Sequence, residues 1–329
     1  MKKAIVITSI FKPTVAVQAF AKNPDYQLIV VGDKKTPKDW YCKNVDYISV
    51  AQQQNLGYQL SKVLPFNHYC RKMLGYLQAI KSGAEYIIDT DDDNIPKPNF
   101  AFPELEQSFD CIAENKGFIN IYQLFTQQNI WPRGLPLELI SKQFQLEDTL
   151  STQPCKIGVW QGLADEDPDV DAVYRLSNDQ PCYFNERPPV VLGKGTIAPF
   201  NSQNTLIRKE LFALMYLPTS VTFRFTDILR GLIAQPIMWL YGYQLGFSHA
   251  TVIQKRNAHD YMEDFASEIP MYTQSNKAIE LVMGAISASD SIESNLYNAY
   301  LSLLAAKIVH PQEMLTLDAW LEDMKTVTR

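Results

Sequence analysis

Residues 71–96 read RKMLGYLQAIKSGAEYIIDTDDDNIP, and the fold turns on how that run divides. After Pro65, the residues Met73, Leu74, Leu77 and Ile80 recur at helical spacing, and Gly83 stands where a C′ glycine ends a helix. Glu85–Ile88 then reads as a strand that runs straight into Asp89-Thr90-Asp91-Asp92-Asp93-Asn94. A helix feeding a strand with a polar end is a unit of an open parallel sheet, and such ends are where these sheets hold ligands.

Upstream, the same alternation of strand and connection continues. Ala4–Ser9 and Gln27–Val31 are apolar, β-branched runs, the second closed by Gly32-Asp33, and Tyr47–Val50 is a short third strand. Downstream, about 100–270 is aromatic-rich, proline-rich and irregular to the eye. From Asn276 onward the chain reads as helical. Residues 231–254 contain no Lys, Arg, Asp or Glu, but Gln235, Pro236, Gln244 and His249 make them a core helix followed by a strand rather than a membrane span. The opening MKKAIVITSIF resembles a leader only briefly, since its apolar run stops at Lys12-Pro13; a buried first strand is expected.

Composition narrows the function classes. A 329-residue chain that is 46% apolar and 12% aromatic is expected to bury a large core, which excludes disorder. Its net charge of −6 argues against a protein that coats nucleic acid. Five widely spaced cysteines without a C-x-x-C pair fit a reducing compartment rather than a disulfide framework or zinc ribbon. The expectation is a soluble, cytoplasmic protein without a transmembrane segment, a description that leaves room for peripheral membrane association.

The acidic knot carries the chemistry. Asp89, Asp91, Asp92 and Asp93 put four carboxylates within five positions, which repel one another unless a cation sits among them. Mg²⁺ and Mn²⁺ bridge such carboxylates to substrate phosphates. A calcium-binding EF-hand fails, because its sixth position is Asn94 and its twelfth is Phe100. A phosphohydrolase with Asp89 as nucleophile lacks its downstream lysine setting. What remains is a D-x-D metal site for a nucleotide-sugar diphosphate, or a solvated acidic turn. Arg71 and Lys72, at the start of the helix feeding the knot, are expected to pair with the aspartates or to contact phosphate.

The run 71–96 resembles the signature of the STELLO-type glycosyltransferase family, as do VVGDKKTPKDW, QGLADEDPDVDAVYRL, PFNSQNTL, FRFTDILRGLIAQPIMW and QKRNAHDYMEDFASE. The resemblance extends from about residue 28 to 268. It implies an α/β, GT-A-like (Rossmann-like) nucleotide-sugar-binding fold with a C-terminal helical extension. Residues 1–125 would be the nucleotide-sugar-binding half, 126–270 the acceptor-shaping half of the same domain, and 271–329 the extension.

That resemblance also implies roles. Thr8, Ser9 and Asp33, at the first two strand ends, would hold the nucleoside; the plainer alternative is a capped loop and a Gly-Asp turn. Asp91 and Asp93 would hold Mn²⁺ or Mg²⁺, and Asp89 would bind ribose or support the metal. His259 is favoured over His249 as a further metal ligand. Asp227 corresponds to the catalytic base of inverting transferases, or else it is a first-turn helix residue paired with Arg224 and Arg230. Asp165–Asp171 would contact the acceptor or form a solvated loop. The expected partners are a nucleoside-diphosphate sugar, probed first as a UDP-sugar, and a glycan or other hydroxyl acceptor, but no nucleic acid. A nucleotide-sugar mutase and a non-catalytic nucleotide-binding scaffold are the alternatives.

Overall fold

The computed structural model describes residues 2–256 and 260–328. Twelve strands form: β1 Lys3–Thr8, β2 Gln27–Val31, β3 Asp46–Ile48, β4 Tyr86–Thr90, β5 Asn94–Pro96, β6 Glu106–Ile112, β7 Gly117–Phe118, β8 Ser151–Glu166, β9 Val190–Leu192, β10 Thr196–Ile197, β11 Asn204–Arg208 and β12 Gln244–Gln254. The helices are α1 Val15–Phe20, α2 Val50–Gln54, α3 Leu60–Val63, α4 Lys72–Lys81, α5 Ala172–Ser177, α6 Thr226–Leu240, α7 Tyr261–Ala285, α8 Ile292–Ala305 and α9 Gln312–Val327.

Ten strands make one sheet in the order β3-β2-β1-β4-β11-β8-β6-β9-β12-β5, while β7 and β10 pair separately. The first four run parallel, as strands joined by crossovers do. β11 then lies antiparallel to β4, with Thr205 opposite Asp89. The 16-residue β8 holds β11 on one side; on the other it pairs with β6 through Lys156 and with β12 from Ile157 on. Strands from residues 1–125 and from 126–270 thus share one continuous sheet in an α/β arrangement.

Side chains alternating along β1 explain its unbroken apolar run. Ala4 and Val6 pack with Met73, Leu74 and Leu77 of α4, while Ile5 and Ile7 pack with Val17 and Phe20 of α1. Both faces are covered, so neither can be polar. Gly75 lets α4 sit close to the sheet: a Cβ there would lie 2.6 Å from Val6 Cγ1 and 2.8 Å from Val31 Cγ2. α4 ends as its sequence predicts. Gly83 adopts φ +83°, its N–H donates to Ile80 O, and Ala84 N donates to Ala79 O, closing a Schellman motif.

Three expectations need correction. Val50 does not extend the third strand but opens α2, because Ser49 and Gln52 form a capping box there. The stretch 100–270 is more regular than its composition suggests, since it contains β8 and β12. Helicity begins at Tyr261, not near Asn276, and α7 runs unbroken through Pro270 across the expected boundary at 270/271. Residues 231–254 form most of α6 and all of β12, as expected.

The C-terminal helices are tied to the body by buried carboxylates. Glu313 of α9 accepts from Thr219 N (2.9 Å), Ser220 N (2.8 Å) and Ser220 Oγ (2.6 Å). Asp323 accepts from Gln59 N (2.9 Å) and Leu60 N (2.8 Å) at the start of α3. Among the described residues, no helix is long and apolar enough to cross a membrane.

Candidate active site

The C-terminal ends of β1, β2 and β4 open onto two adjoining clefts of about 250 and 210 Å³, which share Thr8, Tyr69, Asp92 and Phe223. The smaller is lined by Ser9, Asp33, His68 and Arg71, the larger by Asp91, Asp93, Arg133, Asp169, Asp227 and Arg256. Thr8, Ser9, Asp33, Arg71, Asp91, Asp93 and Asp227, seven of the residues singled out in the sequence, therefore face one continuous depression. Lys72 and Asp89 do not line it, and His259 lies outside the described residues. His249, half-buried on β12, lines neither cleft.

In the smaller cleft Asp33 is held from two sides. Its Oδ1 accepts from Lys34 N (2.7 Å) and its Oδ2 from His68 N (3.2 Å). Arg71 is buried, with Nε on Gln53 Oε1 (2.6 Å), Nη1 on Leu64 O (3.1 Å) and its guanidinium 4.1 Å from the Phe66 ring. Its Nη2 has no hydrogen-bond partner among the described residues. Burial lowers the Arg71 pKa, and Asp33 opposes that shift. Arg71 therefore does not pair with the knot as expected; its immediate neighbour Lys72 does.

Lys72 projects from the other side of the helix start and is fully buried. Its Nζ donates to Asp89 Oδ1 (2.8 Å), Thr90 O (2.8 Å) and Asp91 Oδ1 (2.9 Å), using all three protons. Asp89 is fully buried too, with its second oxygen on Arg230 Nη1 (2.7 Å). Those two cations hold the Asp89 carboxyl below its ordinary value despite burial. A residue paired at both oxygens and off the cleft cannot reach a ribose, so the ribose role is corrected: Asp89 anchors the strand end. By the same geometry Lys72 is an internal ion-pair partner and not a phosphate contact.

The turn beyond carries the opposite balance. Partial burial, with 41% of the side chain still exposed, raises the Asp91 carboxyl, opposed by Lys72 and aided by the charges of Asp93 and Asp89. Burial also pushes Asp92 up to about 6, although Ser9 Oγ donates to Asp92 Oδ2. Asp93 is raised as well, chiefly by burial. Its Oδ2 accepts from Gln254 Nε2 (3.2 Å), whereas Oδ1 is buried without a partner among the described residues. Raised carboxyls around an orphaned oxygen fit a cation better than a solvated turn. Among the described residues, no three His, Cys, Asp or Glu side chains form a complete ligand set. Asp91 and Asp93 would supply two ligands, which suits ions that fill their shells with water and substrate phosphate.

Asp227 sits in the first turn of α6 with only 6% of its surface exposed. It does not pair with Arg224 or Arg230. Arg230 is committed to Asp89 and Asn201 O, and Arg224 to Glu268 (2.8 Å). The partner is Arg133, whose Nη2 meets both Asp227 oxygens at 3.1 and 3.0 Å and also Asp169 Oδ2 at 2.7 Å. Ser202 N donates to Asp227 Oδ2 (3.2 Å). With Ile228 N also donating to Oδ1 (3.1 Å), the carboxylate is oriented by four N–H···O contacts and still lines the cleft. Arg133 lies in a proline-rich loop with no motif, so nothing local pointed to it.

The acidic stretch 165–171 is not a solvated loop. Asp165 accepts from Phe184 N and pairs with Lys97, Asp169 pairs with Arg133, and Asp171 caps α5 while accepting from Trp131 Nε1 (2.8 Å). Of these, Asp169 lines the larger cleft. Tryptophans 40, 131 and 160 are buried in packing, and Trp160 makes an edge contact with Phe109.

Comparison with known proteins follows the same lines. The family model for STELLO glycosyltransferases matches residues 224–328, the segment with Asp227 but without the acidic turn. Two curated relatives from Arabidopsis thaliana are similar along 99% of this chain: "Probable glycosyltransferase STELLO1" at 28% identity and "Probable glycosyltransferase STELLO2" at 29%. The chain spans less than half of their length, 44% and 45%. Similar solved structures include Mycobacterium tuberculosis glucosyl-3-phosphoglycerate synthase with Mn²⁺ and UDP-glucose (12% identity, 87% of this chain, 80% of that one, TM-score 0.41). The same enzyme with phosphoglyceric acid matches at 10% identity over 87% and 81%, TM-score 0.41. Through both the acidic turn and the segment carrying Asp227, this chain is similar to the STELLO glycosyltransferases.

Proposed function

We propose that the protein transfers a sugar from a nucleoside-diphosphate sugar, a UDP-sugar, to an acceptor hydroxyl with inversion, using Mn²⁺ or Mg²⁺. The observation that carries this reading is the placement of Asp91 and Asp93, at the end of β4, in the same cleft as the oriented carboxylate of Asp227. The smaller cleft, with Asp33 and the spare Arg71 donor, would take the nucleoside. Asp91 and Asp93 would hold the metal, which when bound neutralises charge on the departing diphosphate.

The remaining chemistry belongs to this chain. Asp227 takes the acceptor hydroxyl proton as that oxygen attacks the anomeric carbon, and the bond from that carbon to the diphosphate oxygen breaks. Attack from the side opposite the leaving group inverts the centre. Arg133 and Ser202 N fix the Asp227 carboxylate in place, so little reorganisation accompanies proton transfer. Tyr69 and Phe223, shared by both clefts, offer ring surface against a sugar.

Calorimetric titration of UDP in Mn²⁺ and then in EDTA tests the proposal, with Asp91→Ala alongside. Metal-dependent binding that Asp91→Ala removes is the expected result. Undiminished binding in Asp91→Ala sinks the metal assignment. If UDP fails in both conditions, GDP, CDP and dTDP are tried, and failure of all four rejects the nucleotide-sugar reading. A UDP-sugar that rearranges without an acceptor would make the protein a mutase, and nucleotide binding without turnover would make it a scaffold.

A further inference from the structure

We propose that the end of the larger cleft beyond Asp227 is an oxyanion subsite for the acceptor, in which Arg256 with Arg224 receives a carboxylate or phosphate carried by the acceptor molecule. This rests on the glycosyl-transfer reading and names the acceptor's class.

Arg256 lies two residues beyond the end of β12. The backbone before it is fixed against the acidic turn, because Lys255 N donates to Asp93 O (3.1 Å) and Gln254 Nε2 to Asp93 Oδ2 (3.2 Å). Its side chain is 8% exposed and lines the cleft. Nη2 makes a bond of 3.3 Å to Asp264 Oδ2, and Nε is buried without a hydrogen-bond partner among the described residues. A guanidinium is a planar fork that keeps its charge, and leaving one of its donors dry and unpaired is unfavourable unless something arrives to accept from it.

Arg224 converges on the same place. It lies 3.9 Å from Asp264 Oδ1 and 4.0 Å from Asp169 Oδ1 while its main partner is Glu268. Burial, then the like charges of Arg224 and Arg175, lower the Arg256 pKa, so this cation is held where it is disfavoured. An incoming anion relieves both the orphaned donor and the repulsion. A neutral sugar hydroxyl relieves only the first.

Arg256 and Asp91 share Asp93 as a neighbour and differ in the other charges around them. The charges acting on Arg256 are Arg224, Arg175, Asp169 and Asp264. Those acting on Asp91 are Lys72, Asp93 and Asp89, and Arg256 in turn acts on Asp93. Asp227 is joined to Asp169, one of the charges acting on Arg256, through Arg133, and it lines the same cleft as Asp91. An acceptor whose hydroxyl meets Asp227 thus presents its far side to Arg256, where a bidentate carboxylate or phosphate contact fixes its orientation.

The test titrates glucuronate, glucose 6-phosphate, inorganic phosphate and neutral glucose into the protein, with and without saturating UDP and Mn²⁺. At least one anion should bind about tenfold or more tightly than glucose, the range of a charge-assisted pair. Arg256→Met should abolish that preference with UDP affinity within about twofold, and Arg256→Lys should restore part of it. Equal binding of anions and glucose, no anion binding at all, or a tenfold loss of UDP affinity in Arg256→Met each overturns the subsite. Failure of UDP to bind counts instead against the transfer reading, because the nucleotide-free arm still reports on the anion.

Discussion

Replacing Lys72 by Met removes a buried ammonium and keeps the aliphatic stem. The wild-type Nζ has three short contacts, 2.8 Å to Asp89 Oδ1, 2.8 Å to Thr90 O and 2.9 Å to Asp91 Oδ1, and no exposure. Lys72→Met leaves Asp89 fully buried on Arg230 alone and strands the Thr90 carbonyl. Breaking a buried pair from one side costs about 3–5 kcal/mol, because the remaining charge loses its counterion and not merely a contact. For a chain of this size that is a fall of roughly 4–7 °C in Tm. Urea denaturation in EDTA reads the loss. In the double variant with Asp89→Asn, the cost should fall well short of the sum, with a coupling of about 2 kcal/mol or more. Lys72 also occupies Asp91, so Mn²⁺ should stabilise Lys72→Met more than it does the wild type. A loss under about 1 kcal/mol, or equal Mn²⁺ shifts, would refute the reasoning.

Asp227→Asn should lower turnover by about 10²–10⁴ and leave UDP affinity unchanged, since it removes proton acceptance but not the donor cleft; near-normal transfer would reject the base assignment. Burial pushes Asp92 and Asp171 up to about 6 from 3.8, so the folded state favours the protonated acids and loses stability as pH rises from 3.8 through 6. Metal-free protein should therefore gain roughly 1 kcal/mol per carboxyl between pH 7 and pH 5, less an opposing loss at His68, whose lowered pKa disfavours acid; urea midpoints showing a net fall would contradict this. Gly75→Ala sets about 1 kcal/mol of helix propensity against contacts of 2.6 and 2.8 Å on two strand valines, and overpacking at about 1–3 kcal/mol should win, giving net destabilisation in the same assay.

Signals readable in the sequence were local ones. α4 announced itself by an apolar stripe and a glycine past its end, β1 and β2 by continuous apolar runs, and the acidic turn by charges too dense to be left unneutralised. The start of α2 was equally local, because Ser49 and Gln52 three residues apart are a capping-box signature, but the β-branched run before them masked it. β8 was hidden for a different reason. It is covered by different strands along its two halves, so no single alternation runs through its 16 residues.

Among the site residues, Asp91, Asp93 and Asp227 carry their chemistry in their neighbours along the chain. Arg133 does not. It meets Asp169 and Asp227 from 36 and 94 positions away, a pairing only tertiary structure creates. The divergence of Arg71 and Lys72, for which the sequence suggested one shared role, has the same origin. Consecutive residues at a helix start point about 100° apart, so one faces the sheet and the other the neighbouring cleft.

The clasp made by Asp323 on Gln59 and Leu60 has a consequence in time. It joins positions separated by 264 and 263 residues. At about 5–20 residues per second of synthesis, roughly 13–50 s pass between the emergence of α3 and that of its cap. Throughout that interval the segment leading to Arg71 and α4 lacks its final support. A ribosome-stalled chain ending before Asp323 would present α3 without the carboxylate that caps its first two N–H groups.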